Sequence, residues 1–483
     1  MSPPALFSPG VTKEIRALLP TWLGSAGAVI AAALISDRSV VAIDALGYVG
    51  MLALGAQSIG HEYTYRTLAG VLSLPLDRHR LLLRKVIVLA AMLATLSALA
   101  WIVLFNNPQF VRPRLDQQVL VVTVLSAFFL APWLTMICRS SLAGIVFSIA
   151  VPAVILMAGD LIGLARYGSG GGALIDNFKL SFFWRGLFLV CAAAAVSGWR
   201  MFARLEAIEG PGAEIQAPKW LSGDTSADTT VPLRRHHPYW LLARKELRLQ
   251  QMTFAVVILF SAGWAALTVL ASLTRQLPLI PLDAIAVLYF AILTILIGSL
   301  ASAEERHMGT LEWQTLLPIA SWKQWMVKIG IVFGLVSVLG IVLPAILMGM
   351  FGRVAPVLQL GGTILFVTTI SLYISSLSTS GVKAMVLTLP AIVGVFTCIH
   401  LITMTAFRMR VGRGIGVARA PLFAPFPMDV IVWTALLSGF IAVALRFAYL
   451  NHRSQERSVR GVLRQTGTLA AYLVIALAAM VFF

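Results

Sequence analysis

Twelve predominantly apolar stretches, each 18–25 residues long, follow one another along this chain. They run 19–36, 40–60, 84–105, 117–137, 141–160, 182–202, 252–273, 283–303, 326–350, 357–377, 383–405 and 430–449. An α-helix needs about 20 apolar residues to cross a bilayer core of about 30 Å. Lipid offers the backbone no hydrogen bonds, so only helices and closed barrels span it. Runs this long and this uninterrupted are helical, and the expected fold is an all-α polytopic membrane protein. A thirteenth run, 466–483, is short and free of charge, and it is expected to form a further C-terminal membrane helix.

Composition agrees. Of 483 residues, 59% are hydrophobic and 12% charged, with mean hydropathy +0.88. Soluble domains carry about 25% charged residues, so a soluble enzyme and a disordered chain are both excluded. The net charge of +17 comes from Lys and Arg scattered between apolar runs, with no block of the nucleic-acid-binding kind. With the N-terminus inside, 25 of the 37 Lys and Arg fall on the cytoplasmic side, as the positive-inside rule requires. The start of the chain, with Lys13, Glu14 and Arg16 ahead of the first run, does not read as a cleaved signal peptide. Cys138, Cys191 and Cys398 lie far apart in or beside apolar runs, which suits buried small hydrophobes and gives no metal spacing.

The chain repeats itself. The segment beginning at Glu62 reads EYTYRTLAGVLSLPLDRHRLLLRK, and the one beginning at Glu305 reads ERHMGTLEWQTLLPIASWKQWMVK. At an offset of 243 residues, six of 24 positions are identical: Glu62 with Glu305, Thr67 with Thr310, Leu68 with Leu311, Leu74 with Leu317, Pro75 with Pro318 and Lys85 with Lys328. A second echo precedes each half's first span, Lys13-Glu14-Ile15-Arg16 and Lys245-Glu246-Leu247-Arg248, at an offset of 232. The expected organisation is therefore a first six-span half over 1–203, a cytoplasmic linker over 204–238 and a second six-span half over 239–451. A basic segment with the last helix follows over 452–483. Six spans is an even number, so both halves face the same way across a parallel pseudo-twofold axis.

Each paired cytoplasmic segment is amphipathic and places charge ahead of an apolar stretch that Pro closes. In the second, Glu304, Glu305 and Glu312 share a helix-competent run with Leu311, Leu316 and Leu317, and Pro318 ends it. A short interfacial helix of this kind suits docking into a groove on a soluble partner.

The order Glu305, Gly309-Thr310-Leu311-Glu312, Leu316-Leu317, Pro318, then Lys328 resembles the loop between spans two and three of ABC-2-type transporter permeases. The first half is similar through Glu62, Thr67, Leu68, Leu74, Pro75 and Lys85, and departs where Arg66 and Ala69 replace the Gly and the second Glu. The segments 11–20 and 239–250 are similar to that family's interfacial connecting helix, and 161–181 and 406–429 to its re-entrant extracellular elements. The resemblance implies two permeases fused in one chain, an exporter in the inner membrane of a bacterium, moving an amphipathic or hydrophobic compound. Loops 62–84 and 304–327 would be coupling helices, with Glu62, Thr67, Leu68, Pro75, Glu305, Gly309, Thr310, Leu311, Glu312 and Pro318 facing the motor. No G-x-x-x-x-G-K-[ST] signature occurs, so ATP and Mg would sit on two copies of a separate ABC ATPase subunit.

Other residues have two readings each. Glu62 and Glu305 suit ion-pair contacts to the ATPase or solvated helix-start charges. Asp44 and Asp283, near the outer ends of spans two and eight, suit a substrate pathway or the interface. Arg408, Arg410, Arg413 and Arg419 crowd one outside loop, where they suit an anionic substrate at an exit or anionic lipid. His400 and Cys398 are expected to be packing residues. Phe128, Phe129, Phe366 and Tyr373 suit an apolar route or plain core. Rival readings are a secondary transporter built on six-plus-six repeats, a membrane-embedded enzyme, and a membrane scaffold. No nucleophile–base constellation or H-E-x-x-H motif supports the enzyme.

Overall fold

A computed structural model describes residues 9–34, 40–64, 77–106, 113–167, 172–204, 238–274, 279–310, 319–349, 357–392, 394–396, 427–454 and 459–482. Among these residues all regular structure is helical and no strand occurs. In chain order the helices are α1 (Pro9–Leu34), α2 (Val40–Thr64), α3 (Arg78–Asn106), α4 (Pro113–Leu125), α5 (Ala131–Cys138), α6 (Ser141–Tyr167) and α7 (Gly172–Ala203). They continue with α8 (Pro238–Leu249), α9 (Gln251–Thr274), α10 (Leu279–His307), α11 (Ser321–Leu335), α12 (Leu343–Gly349) and α13 (Val357–Leu377). Helix α14 covers 381–392, and α15 (Pro427–Arg453) and α16 (Val459–Phe482) close the order.

Five segments among the described residues are long and apolar enough to cross a membrane: Arg78–Ile102, Gln117–Cys138, Ser141–Asp160, Leu174–Ala203 and Ser321–Gly349. Large apolar side chains stay exposed on them, including Ile87, Leu189 and Ile346. Such surfaces are tolerated in hydrocarbon, not in water. The observed architecture is thus that of an all-α membrane protein.

Two of these spans contain π-helical turns, Ser126–Leu130 between α4 and α5 and Val336–Val342 between α11 and α12. Each lies just ahead of a proline, Pro132 or Pro344. Proline lacks an N–H and its ring crowds the carbonyl four residues earlier, so the helix widens locally rather than breaking.

The helices pack as two compact units. The first holds α1 through Ala33, α2 from Val41, α3 to α7, α9, and α10 as far as Ala291. The second holds α8, α10 from Ile292, and α11 to α16. The division differs from the linker-based one expected over 204–238, because α9 packs on α6, where Gly263 faces the Met157 side chain at 4.0 Å.

Within the first unit, Gly55 of α2 allows a close crossing. A Cβ there would run into the Ala127 carbonyl oxygen. In the second unit, a Cβ on Gly298 of α10 would lie 2.5 Å from Ser371 Cβ and 2.8 Å from the Thr368 carbonyl oxygen of α13. Small residues at a crossing let helix backbones approach where lipid supplies no hydrophobic drive. Hydroxyls then stitch the second crossing: Ser371 Oγ donates to the Ile295 carbonyl at 2.8 Å and Ser375 Oγ to the Ser299 carbonyl at 2.7 Å. Apolar packing completes the first unit, with Leu130, Leu134, Phe183, Leu187, Cys191 and Ala194 in one cluster. Cys191 there is a buried small hydrophobe as expected; Cys138 is half-buried, and Cys398 lies outside the described residues.

Candidate functional site

The residues that mark the sequence echo come together in three dimensions, once in each unit. In the first, Glu14 stands on α1, Glu62 near the end of α2 and Lys85 in the second turn of α3. Lys85 Nζ lies 2.9 Å from both Glu14 oxygens and 2.9 Å from Glu62 Oε1. It also donates to the Ser58 carbonyl at 3.4 Å. In the second, Lys328 Nζ lies 3.0 and 2.9 Å from the Glu246 oxygens, 2.8 Å from Glu305 Oε2 and 2.6 Å from the Ala301 carbonyl. Ser58 and Ala301 are themselves 243 residues apart.

These are buried charges. Glu62, Glu305 and Lys328 are 0% exposed, and Glu14, Lys85 and Glu246 are also buried. Removing such groups from water is costly, and only close pairing with further hydrogen bonds offsets it. The lysines go part of the way: each ammonium donates to one carboxylate and one backbone carbonyl, and pairs by charge with a second carboxylate at 2.9 or 2.8 Å.

Local structure explains how the sequence holds them there. Helix α1 runs unbroken through Pro20, so the segment 11–20, expected as a separate interfacial helix, is continuous with the span after it. Its counterpart α8 is separate and ends at Leu249. The turn at Gln250 is held by its backbone N–H on the Leu247 carbonyl and by Nε2 on the Ile297 carbonyl at 3.1 Å. Trp22 Nε1 ties α1 to α3 through the Met92 carbonyl at 3.2 Å and Thr95 Oγ1 at 3.1 Å.

Past the second cluster, α10 ends at His307 and Gly309 follows with φ +67°. That left-handed conformation suits glycine and stops a helix. Met308 N–H bonds the Glu304 carbonyl, Gly309 N–H the Arg306 carbonyl, and Thr310 Oγ1 the Glu305 carbonyl at 3.2 Å. Gly309 and Thr310 thus close α10. The Arg306 guanidinium reaches the Asn451 carbonyl at 2.6 Å near the end of α15, and Arg78 does the same for Ala203 at 2.9 Å at the end of α7. Cations suit those C-terminal carbonyls.

The two clusters are balanced differently. Lys245 adds a second ammonium to the second one, 2.6 Å from Glu305 Oε1. In the first, His61 approaches instead, with Nε2 at 3.9 Å from Glu14 Oε2. Of the second cluster's carboxylates, Glu246 is the one pushed up, to about 7, by burial first and by the Glu305 charge, with Lys328 opposing. Burial also acts to raise Glu305, but Lys328 and Lys245 outweigh it and hold that acid down at about 2.

Glu62 and Glu305 are enclosed and ion-paired inside the chain. Thr67, Leu68, Pro75, Leu311, Glu312 and Pro318 lie outside the described residues, as do Arg408, Arg410, Arg413, Arg419, Cys398 and His400. Asp44 and Asp283 fall within α2 and α10, but their side chains lie outside what is described. Phe366 and Tyr373 are buried. Sequence reasoning used Glu14, Lys85, Lys245, Glu246 and Lys328 as markers of the repeat or the resemblance, with no pairing assigned, and passed over His61. The available signal was charge recurring at fixed offsets beside apolar runs, since such charge in lipid needs a partner.

No protein-family model matches the chain, no curated protein matches it, and no solved structure matches it.

Proposed function

We propose that this chain is the membrane-spanning subunit of an ATP-driven exporter, built from two duplicated six-span permease halves with one further C-terminal helix. Two copies of a separate ABC ATPase subunit supply ATP hydrolysis, and the cargo is an amphipathic or hydrophobic compound. The observation that carries the reading is the ion pair at the base of each paired segment. Glu62 with Lys85, and Glu305 with Lys328, bring the two ends of segments 62–84 and 304–327 together. Glu14 and Glu246 tie the same lysines to α1 and α8. A segment anchored in this way passes an applied displacement to the helices at its base, which is what a coupling element requires. The matching of the two clusters at offsets of 243 and 232 residues supports the duplication.

The test is purification of the tagged chain from its native membrane in mild detergent, followed by ATPase assay and transport in vesicles. The expected result is a co-purifying ATPase and transport that stops on ATP depletion. A chain that comes away without an ATPase and still transports would refute it.

A second reading draws on one observation. Buried carboxylates beside an imidazole, as at Glu14, His61 and Glu62, are the groups that bind coupling ions in secondary transporters. Transport that survives ATP depletion and collapses with an ionophore would select that reading.

A further inference from the structure

The second cluster carries two carboxylates and two ammonium groups. Among the described residues the first carries two carboxylates, Glu14 and Glu62, and one ammonium, Lys85. Lys13, which precedes Glu14 as Lys245 precedes Glu246, is exposed. His61 stands beside the first cluster instead. Its Nδ1 lies 2.9 Å from the Gln57 carbonyl oxygen. A carbonyl only accepts, so Nδ1 carries the hydrogen. In a neutral ring the other nitrogen is then a bare lone pair. That nitrogen, Nε2, is buried without a hydrogen-bond partner and faces Glu14 Oε2 at 3.9 Å, acceptor against acceptor. Glu62, fully buried, likewise has no hydrogen bond to either carboxylate oxygen. A buried site with one negative charge in excess and lone pairs turned inward calls for a cation.

We infer that the cluster of Glu14, His61, Glu62 and Lys85 is a proton-binding site, with His61 Nε2 the atom that takes the proton. The proton comes from water and no other bond changes. It turns the Nε2 lone pair into an N–H that faces Glu14 Oε2. It also brings the cluster to a neutral total, as Lys245 does for its counterpart while Glu246 is ionised.

The charged groups facing His61 are Glu14 from α1, Lys85 from α3 and Glu62 from its own helix. His61 lies just past the span read over 40–60. Burial and the Lys85 ammonium push it below the ordinary imidazole value of 6.5, against the pull of Gln57, Glu14 and Glu62. Uptake therefore falls on the acid side of neutrality. A metal ion is the rival occupant, because oxygen and nitrogen atoms of Glu14, His61 and Glu62 lie within 4.8 Å of one another. Lys85 Nζ, at 2.9 Å from both carboxylates, already holds the positive charge there and repels a second fixed cation. The inference concerns the same residues as the second transport reading, and because it is read on the purified chain alone its failure is distinguishable from the failure of either reading.

The experiment is NMR of the full chain in detergent with 15N-labelled histidine, the His61 signals being assigned by their loss in His61→Gln. At pH 8 the ring is expected neutral with hydrogen on Nδ1, and it protonates at Nε2 with a midpoint below 6.5. In Lys85→Met the midpoint rises. A ring that keeps hydrogen on Nε2, one that stays neutral to pH 4, or one whose signals shift on adding Zn²⁺ or Mg²⁺ would overturn the inference. A second readout is the thermal midpoint at pH 8 and pH 5.5. A lowered folded-state value means that the unfolded chain binds the proton first, so stability falls with pH from 6.5 through that value. Wild type is expected to lose more on acidification than His61→Gln, and equal losses would overturn the inference.

Discussion

Glu305 and Lys328 stand at opposite ends of the segment 306–327, yet their side chains meet at 2.8 Å inside the protein. The two residues that flank the segment are thus held together at one point, and α8 is held to that point through Glu246.

Replacing Lys328 with Met leaves Glu246 and Glu305 buried without their shared ammonium. Breaking a buried ion pair from one side costs about 3–5 kcal/mol. The expected outcome is a large fall in the thermal unfolding midpoint of the detergent-solubilised protein, with Lys328→Arg falling less because it keeps the charge. An unchanged midpoint in Lys328→Met would mean that the cluster contributes nothing to the fold.

The acids of the second cluster give opposite pH dependences. Glu246, raised to about 7, binds its proton more readily folded than unfolded, so its contribution is present below 4.5 and is lost as pH rises through 7. Glu305, lowered to about 2, contributes above 4.5 and loses that contribution as pH falls through 2. Glu246→Gln is therefore expected to flatten the fall in stability between pH 4.5 and 7. Equal slopes in variant and wild type would sink the assignment.

At the α10–α13 crossing, Gly298→Ala places a methyl 2.8 Å from the Thr368 carbonyl oxygen, part of the backbone. Overpacking of this kind costs about 1–3 kcal/mol. Gly334→Ala in α11 meets nothing within 4 Å, and it removes a flexible residue from a helix interior, a gain of about 0.5–1 kcal/mol. Thermal midpoints of the two variants should move in opposite directions.

Helix α16 is tied to the rest of the second unit by a reciprocal amide pair. Asn451 Nδ2 donates to Gln465 Oε1, and Gln465 Nε2 to Asn451 Oδ1, each at 3.0 Å. Asn451 Nδ2 also reaches Ser376 Oγ at 3.1 Å. A double-mutant cycle of Asn451→Ala with Gln465→Ala is expected to give a coupling of about 0.5–3 kcal/mol. Strict additivity would show that the pair does not join α16 to α15.

The helical class was legible because lipid admits few backbone solutions, and long apolar runs announce the chosen one. The residues of the buried clusters were legible as positions: constant offsets singled out Glu62, Lys85, Glu305 and Lys328. Their role was not. A Glu beside a hydrophilic stretch reads as solvated, and only three-dimensional placement shows that Lys85 encloses Glu62. His61 escaped notice because nothing at its own offset repeats it: Glu304 occupies the corresponding position. The packing of α9 beside α6 was equally illegible, since neither Gly263 nor Met157 carries a local signal for the other. The closure of α10 by Gly309 was accessible in principle, as a glycine just after a charged, helix-competent stretch.

The wide turns Val336–Val342 lie between Lys328 and Pro344 in a single span. Their hydrogen bonds reach one residue further than those of an α-helix, so a residue can be taken in or released there at local cost. The adaptable part of the span is therefore this stretch, and a rotation applied at Pro344 would be absorbed there before it reached Lys328.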